Sequence, residues 1–232
     1  MSDPTLHYIH DPLCGWCYGA APLVRVARDT LRVQAHGAGM MAGAARRAVT
    51  PELRQFVMTH DHRIAQASGQ PFGQAYFEGL LRDTGAVLDS APPITAMLAA
   101  AEQDGTGLDM LSRLQQAHYV EGRRIADLAV LEQLAAALGL DVEAFGIAYQ
   151  RLQGAATQAH IEQSRALLRR IGGQGFPSFA LEREARFTLV DIGPYLGQPE
   201  AWRSWLTQQV GAATAAATSG APPVCGLDGC AP

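Results

Sequence analysis

Two cysteines near the start of this chain are spaced to do chemistry together. Cys14 and Cys17 lie in the stretch YIHDPLCGWCYGAAP, between a short apolar run and a segment with helical periodicity. Such a pair is typical of a redox site, a metal knuckle or a structural disulfide. In a redox site, the thiolate of one cysteine attacks a disulfide and the other cysteine resolves the product.

The apolar spacing places the first cysteine at the beginning of a helix. Alanine, leucine and valine recur at helical intervals from about Gly15 to Val33. A thiol at the N-terminus of a helix faces unpaired N–H groups and the positive end of the helix dipole, and both favour the thiolate. We therefore expect Cys14 to be exposed and attacking and Cys17 to be sheltered and resolving. Trp16, between them, is expected to line the substrate surface.

Charge and hydropathy limit the classes of partner and the cellular compartment that we expect for this protein. The formal net charge is −4, and no basic patch stands out, which argues against a nucleic-acid partner. The first residues lack the basic and apolar regions of a signal peptide, and no apolar run is long enough for a membrane span. We therefore expect a cytoplasmic protein with no membrane partner. Stable structural disulfides are rare in that compartment.

A second cysteine pair leaves a metal-binding alternative open. Cys225 and Cys230 follow a segment of small, uncharged residues that has the composition of a linker. Four thiols can bind zinc, but paired zinc knuckles usually lie about 15 to 20 residues apart. A zinc-binding or adaptor protein is thus the non-enzymatic alternative, and our expectation is that no metal and no cofactor is bound.

The pattern along the chain predicts strands at both ends and helices between them. Residues 6–10 have the composition of a buried strand, and a second strand is possible at 33–36. FPSFALE and ARFTLVD predict a hairpin with a charged turn, and residues 199–211 predict a last helix. The helices expected between them cover 51–68, 73–83, 93–104, 108–121, 127–138, 141–152 and 155–171.

This order predicts one α/β domain with an insertion. Neither end of the chain could bury a sheet alone, so the strands of both ends are expected to share one sheet. The expected units are a sheet-containing domain over 1–45 and 172–211, an inserted helical domain over 46–171, and a flexible tail over 212–232. Cys225 and Cys230 lie in that tail.

A proline opens the first strand of the late hairpin, in GGQGFPSFAL. A redox site of this kind needs a loop that offers backbone groups to an extended substrate, and a cis proline at the start of a strand provides one. We expect the Phe176–Pro177 bond to be cis and to face Cys14. Phe176 and Pro177 are therefore candidate substrate-binding residues.

The combination of DPLCGWCYG, the late GFPSFAL and the helices between them resembles the DsbA-like thioredoxin-fold family, and within it the FrnE-like cytoplasmic branch. The resemblance covers residues 6 to about 210. It implies a thioredoxin fold with a large all-helical insertion between an N-terminal βα(β) part and a C-terminal ββα part. It also implies a thiol–disulfide oxidoreductase or isomerase in which Cys14 is the nucleophile, Cys17 the resolving thiol and Pro177 the cis proline.

The same resemblance suggests partners and a role for the tail. Protein or small-molecule thiols and disulfides would react with the enzyme, with glutathione or a thioredoxin system among them. Some members of the branch carry a C-terminal Cys-x4-Cys, which Cys225 and Cys230 match as a second redox pair. The dipeptide Gly15-Trp16 departs from the Pro-His of the periplasmic oxidant, so comparable oxidising strength is not implied.

A different enzyme class resembles the same fold. Kappa-type glutathione transferases and 2-hydroxychromene-2-carboxylate isomerases also carry a helical insertion. They typically have a serine where Cys14 stands and do not need Cys17. The cysteine pair therefore favours redox chemistry, with these enzymes as the alternative.

Several other residues near the motif could take part. His10 could contact the Cys14 thiolate, although packing at the strand end is its expected role, and Asp11 is expected to shape the Asp-Pro turn. Further residues that could line a groove, with core packing as the default, are Met40, Met41, Tyr76 and Phe77. His60 and His62 show no partner pattern and are expected at the surface.

Overall fold

The computed structural model describes residues 3–218, with side chains through residue 211. Its strands are β1 (Thr5–His10), β2 (Arg32–Gly37), β3 (Arg47–Ala48), β4 (Val87–Leu88), β5 (Ser178–Arg183) and β6 (Arg186–Val190). Its helices are α1 (Gly15–Gly19), α2 (Ala21–Arg28), α3 (Pro51–Ser68), α4 (Ala91–Ala101), α5 (Gly107–Tyr119), α6 (Leu128–Ala137), α7 (Val142–Leu152), α8 (Ala155–Arg170) and α9 (Pro199–Thr218). None of the helices within these residues has the length and hydropathy that crossing a bilayer requires.

The main sheet has four strands in the order β2-β1-β5-β6. β1 and β2 are parallel, so the chain must cross back between them, and it does so through α1 and α2. β5 runs antiparallel to β1, with Phe179 opposite Tyr8, and β6 runs antiparallel to β5. Strands from the two ends of the chain therefore share one sheet. The predicted α/β fold is confirmed.

The predicted hairpin at the end of the chain is also confirmed. β5 and β6 pair directly, and the two residues between them, Glu184 and Ala185, have positive φ angles of 49° and 63°. Two consecutive residues with positive φ angles form the kind of two-residue turn whose twist matches that of the flanking strands. The hairpin places the start of β5 beside the end of β1, next to the Cys-x-x-Cys segment.

The last helix packs along the sheet and away from the cysteines. The indole N–H of Trp202 in α9 donates to the Leu23 carbonyl at 3.0 Å, and its ring meets Phe179 edge-on at 6.1 Å. Further along α9, Gln209 accepts a hydrogen bond from Arg183, at the far end of β5. Because β1 is antiparallel to β5, α9 points toward the end of the sheet where β1 begins.

The helices between β2 and β5 form a compact insertion around α4. This helix packs against α5, α6, α7 and α8. Its sequence APPITAMLAAA is apolar on nearly every side, as a helix surrounded by others must be. The insertion meets the sheet-bearing part where α3 packs on α1 and where α8 packs on β2. It therefore lies directly against the Cys-x-x-Cys segment.

Two elements of the insertion differ from the prediction. The helix expected over 73–83 is instead a π-helical turn, Ala75–Gly79, followed by a 3-10 turn, Leu80–Arg82. Gly79 between them has a non-helical backbone, with φ −101° and ψ −85°. The short strands β3 and β4 pair with each other and were not predicted, because two residues carry no periodic signal.

Helix boundaries differ at both ends of the chain. The single helix expected from Gly15 is two helices. Pro22 lies in the first turn of α2 and has no N–H, so it cannot continue the hydrogen bonding of the preceding helix. The chain then enters β2 at Arg32, which confirms the strand suggested near 33–36. At the other end, α9 continues past residue 211 to Thr218. Alanine has the highest helix propensity, and the alanines that suggested a linker extend this helix.

A close backbone approach gives a test of the packing beside the site. The Gly73 N–H donates to the Tyr119 carbonyl at 2.8 Å, and a Cβ on Gly73 would lie 1.9 Å from the Val120 oxygen. We expect Gly73→Ala to lower the free energy of unfolding by about 3 kcal/mol, because backbone must move. Gly146→Ala in α7, where nothing lies within 4 Å, is the control and should raise it by up to about 1 kcal/mol.

Urea unfolding followed by circular dichroism measures both variants. Equal stabilities for Gly73→Ala and the wild type would show that the segment before the π-helical turn shifts freely, contrary to the packing described above.

Candidate active site

Cys14 caps the short helix α1 with its own sulfur. Its backbone is extended, with φ −91° and ψ 113°, and its Sγ accepts a hydrogen bond from the Cys17 N–H at 3.4 Å. A side-chain acceptor at this position satisfies one of the unpaired N–H groups of the helix. A negatively charged sulfur makes that hydrogen bond stronger. The predicted position of Cys14 at the start of the helix is thus confirmed, together with a contact that favours its thiolate.

The two thiols are buried to different extents. Cys17 is fully buried, as predicted, and both cysteines are free thiols. The exposure predicted for Cys14 is wrong, since only 6% of this residue is accessible, and its sulfur contacts the Phe176 carbonyl. Burial raises the pKa of the Cys17 thiol well above its ordinary range, and the neighbouring Cys14 sulfur raises it further. Cys17 is therefore a protonated thiol at neutral pH.

The proline loop faces the first cysteine. The Phe176–Pro177 peptide bond is cis, and the Phe176 carbonyl oxygen lies 3.6 Å from the Cys14 sulfur, which donates to it. Both predictions for this bond are confirmed. Ser178 steadies the loop by donating to the Gly175 carbonyl at 2.7 Å. The structure therefore brings Cys14, Phe176 and Pro177 together from the two ends of the chain.

A buried carboxylate holds the segment that leads into α1. Oδ1 of Asp11 accepts from the Leu13 N–H at 2.8 Å and from the Ser90 hydroxyl at 3.0 Å, and Oδ2 accepts from the Met40 N–H. Burial raises the pKa of Asp11, while these hydrogen bonds and the charge of Arg165 lower it. The predicted role of Asp11 in the turn is confirmed. Its contacts to Met40 and Ser90 were not predicted.

The loop after β2 is held from its other side by the insertion. The Arg165 guanidinium on α8 donates to the Ala38 carbonyl at 2.8 Å and to the Gly39 carbonyl at 2.6 Å. The Ser90 hydroxyl also accepts from the Met41 N–H at 2.9 Å. The loop is therefore fixed between α8 and the start of α4.

An acidic and aromatic cluster lies behind the motif. Asp61 on α3 is 4% exposed, and its Oδ2 accepts from the Tyr76 hydroxyl at 2.9 Å. Burial raises the pKa of Asp61 to about 6, and the Tyr76 hydrogen bond and nearby His60 lower it. Burial raises the pKa of the Tyr119 hydroxyl on α5, and the nearby charges of Tyr76, Asp61 and the two cysteines raise it further. Sequence reasoning missed Asp61 and Tyr119, because helical periodicity does not show which helix packs on α1.

His10 does not take part in proton transfer. It is fully buried, its ring stacks on Tyr8 at 4.8 Å, and burial lowers its pKa to about 3. Within residues 3–218 neither of its ring nitrogens has a hydrogen-bond partner. His10 is thus neutral at physiological pH and packs at the strand end, as expected.

The other residues singled out in the sequence take different places. The half-buried ones are Trp16, Met40, Met41, His60, Phe77, Phe176 and Pro177, whereas Tyr76 is buried and His62 is exposed. Cys225 and Cys230 lie outside the described residues. Within the part of the chain that the structure describes, no group of three or more histidine, cysteine or acidic residues is arranged to hold a metal ion.

Most of the chain matches one known protein family. The model of the DsbA-like thioredoxin domain matches residues 5–192, which is most of the chain. The chain belongs to the DsbA-like thioredoxin family. A comparison with curated proteins finds no match.

Several solved structures are similar to this chain. The cytosolic disulfide reductase DsbM from Pseudomonas aeruginosa is 54% identical, with a TM-score of 0.85 over 90% of this chain and 99% of that one. Its structure with GSH is similar at a TM-score of 0.82, over 88% of this chain and 98% of that one. A candidate protein disulfide isomerase from Nitrosomonas europaea is 26% identical, with a TM-score of 0.72 over 90% and 97% of the two chains.

These similarities decide between the classes of function. A 2-hydroxychromene-2-carboxylate isomerase is similar at 18% identity and a TM-score of 0.55, which shows a shared fold alone. Family, fold and the Cys14–Cys17 pair make this chain a thiol–disulfide oxidoreductase. Neither the transferase or isomerase alternative nor the zinc-binding alternative is favoured.

The Asp11 hydrogen bonds give a test of what holds the site. In Asp11→Asn one acceptor oxygen becomes an NH2 group, which must then face a donor at Leu13 or Met40. We expect a loss of about 2 to 3 kcal/mol in the free energy of unfolding, because a hydrogen bond to a buried charge is replaced by two opposed donors. Urea unfolding at neutral pH measures the loss.

The matched control is Asp141→Asn at the start of α7. The Asp141 side chain accepts from the Ala144 N–H at 3.0 Å, and asparagine caps helices as well as aspartate does. This variant should unfold like the wild type. If Asp11→Asn does so too, the carboxylate does not stabilise the segment before Cys14.

Proposed function

We propose that this protein reduces disulfides, with Cys14 as the attacking thiolate and Cys17 as the resolving thiol. One observation carries the assignment of roles. The Cys14 sulfur accepts the Cys17 N–H and lies beside the proline loop, whereas the Cys17 thiol is fully buried and has a raised pKa. Of the two thiols, only that of Cys14 belongs to a residue with accessible surface, 6% against 0% for Cys17, so Cys14 meets the substrate and Cys17 reacts once the mixed disulfide forms next to it.

The reaction conserves atoms and electrons in two exchanges. The Cys14 thiolate attacks one sulfur of the substrate disulfide, a mixed disulfide forms, and the other substrate sulfur leaves as a thiolate. Cys17 then gives its proton to a departing thiolate and attacks the Cys14 sulfur. The Cys14–Cys17 disulfide forms, and the substrate has gained two electrons. Two molecules of an external thiol return the protein to the dithiol.

The half-buried residues around Cys14 would bind the substrate backbone. Phe176 and Pro177 lie at the start of β5, where an extended segment can lie beside the loop. Trp16 packs partly against the core and offers the remainder of its ring. These are the candidate substrate-binding residues, and a main-chain contact there would not depend on the side chains of the substrate.

Glutathione is the proposed small-thiol partner, and the cytoplasm is the proposed compartment. Both proposals are supported by the 54% identity to a cytosolic disulfide reductase, whose structure has also been solved with GSH. Glutathione-containing mixed disulfides are then candidate substrates, and reduced glutathione or a thioredoxin system is the candidate source of electrons.

The role of Cys225 and Cys230 as a second redox pair stays a prediction. These residues lie outside the described part of the chain. The described part of α9 leads toward the end of the sheet where β1 begins, opposite to the end that carries Cys14. Transfer of electrons between the two pairs in one molecule would therefore need a long reach.

Two substitutions test the proposed roles, both made in a Cys225→Ser/Cys230→Ser background so that only the active-site thiols react. Cys14→Ser should lose at least about 99% of the turnover of a glutathionylated peptide, because the nucleophile is gone. Cys17→Ser should accumulate a mixed disulfide between Cys14 and the peptide, which mass spectrometry identifies.

The background protein with both active-site cysteines is the control for these measurements. Turnover by Cys14→Ser, or a peptide adduct formed at Cys17 instead of Cys14, would overturn the assignment of roles. A control protein that reduces neither the peptide nor insulin would overturn the proposed function itself.

A further inference from the structure

The space beside the first residue after Cys14 is filled by a carboxylate from the insertion. A Cβ built on Gly15 would lie 2.8 Å from Oδ1 of Asp61 and 2.8 Å from the Ile64 methyl group. A side chain at position 15 would therefore force the Asp61 carboxylate and the Ile64 side chain to move. The absence of a side chain in the Cys-Gly-Trp-Cys motif lets Asp61 approach the backbone that carries the attacking sulfur.

Asp61 is buried, and a hydrogen bond from Tyr76 partly offsets the effect of burial on its charge. Its Oδ2 is held by the Tyr76 hydroxyl at 2.9 Å, and its Oδ1 points to Gly15. The titratable groups around it are His60 on its own helix, Tyr76 in the π-helical turn, and Tyr119 on α5. Burial raises the pKa of Asp61 to about 6, so most molecules carry the charge at neutral pH.

The carboxylate and the two thiols share one buried environment. Tyr119 is buried, and beside the effect of burial the nearby charges of Asp61, Cys14 and Cys17 raise the pKa of its hydroxyl. Charges interact more strongly where water is excluded, and a nearby like charge disfavours an ionised group. A carboxylate beside Gly15 would act against a negative charge on the adjacent Cys14 sulfur, whereas the Cys17 N–H acts in favour of that charge. Asp11 is a second carboxylate near the pair, and its charge raises the pKa of Cys17.

We propose that Asp61 is a redox-tuning residue, whose carboxylate destabilises the Cys14 thiolate and makes the dithiol form a stronger reductant. This inference rests on the proposed function of the Cys14–Cys17 pair. Oxidation of the pair removes two electrons and one proton from the thiolate–thiol form and leaves an uncharged disulfide. The carboxylate raises the free energy of the charged, reduced form only, so the protein gives up its electrons more readily to a disulfide substrate.

The test measures the equilibrium between this pair and glutathione. Full-length protein with Cys225→Ser/Cys230→Ser is equilibrated in mixtures of reduced glutathione and glutathione disulfide, and the disulfide fraction is read by mass spectrometry. We expect Asp61→Asn to increase the equilibrium constant for reduction of the pair about tenfold, which corresponds to a potential higher by about 30 mV. Asp61→Ser removes the same charge with a smaller side chain and should give the same shift.

Two control variants separate charge from packing. Glu52→Gln removes a charge from the same helix at an exposed position and should leave the constant unchanged. Ile64→Val trims the other side chain that lies beside Gly15 and keeps the Asp61 charge, so it should also leave the constant near that of the wild type. A tenfold increase in Ile64→Val would mean that packing, and not charge, sets the potential, and would overturn the proposal.

The pH dependence provides a second readout. The rate at which iodoacetamide alkylates Cys14 should be higher in Asp61→Asn than in the wild type, and this gap should close as the pH falls through about 6, where wild-type Asp61 takes up a proton. Equal constants and equal rates for Asp61→Asn and the wild type overturn the proposal but leave the proposed function intact. A wild-type pair that forms no disulfide in these mixtures overturns the proposed function instead.

Discussion

A carboxylate that is fully buried needs hydrogen-bond donors on every side, and this requirement at Asp11 organises the site. One oxygen meets the backbone that leads into α1, and the other meets the loop after β2. The Ser90 hydroxyl at the start of α4 reaches the first oxygen as well. Three segments that are distant in sequence must therefore stay in register for the charge to be tolerated. The position of Cys14 follows from that register, because its N–H donates to the Asp11 carbonyl at 3.1 Å.

The helical insertion belongs to the site as much as the sheet does. The sheet-bearing part supplies the two thiols and the proline loop, and the insertion supplies the groups that surround them. These groups are Asp61 from α3, Ser90 from α4, Tyr119 from α5 and Arg165 from α8. Asp61 and Tyr119 are buried behind the motif, while Ser90 and Arg165 hold Asp11 and the loop after β2.

The sequence predicted the elements that depend on local chemistry. The cysteine pair at a strand–helix junction, the proline that opens β5, the hairpin and most helices of the insertion all follow from neighbouring residues. The contacts between distant residues did not follow. No local pattern shows that Asp61 lies against Gly15, or that the Phe176 carbonyl contacts the Cys14 sulfur. The alanines after residue 211 suggested a linker by composition. Trp202 and Leu206 anchor α9 in the core, however, and the helix continues from them through these alanines to Thr218.

The direction of α9 determines which end of the molecule would be attached if the protein were fixed to a support through this helix. Its described end and the start of β1 lie at the same end of the sheet, and Val210 and Thr5 line one surface depression there. Cys14 lies after the opposite end of β1. A bead, an electrode or a fused partner joined after Thr218 would therefore hold the protein at the end of the sheet where β1 begins and leave the end that carries Cys14 pointing away from the support. The same chain is suited to immobilisation, with catalysis directed away from the support.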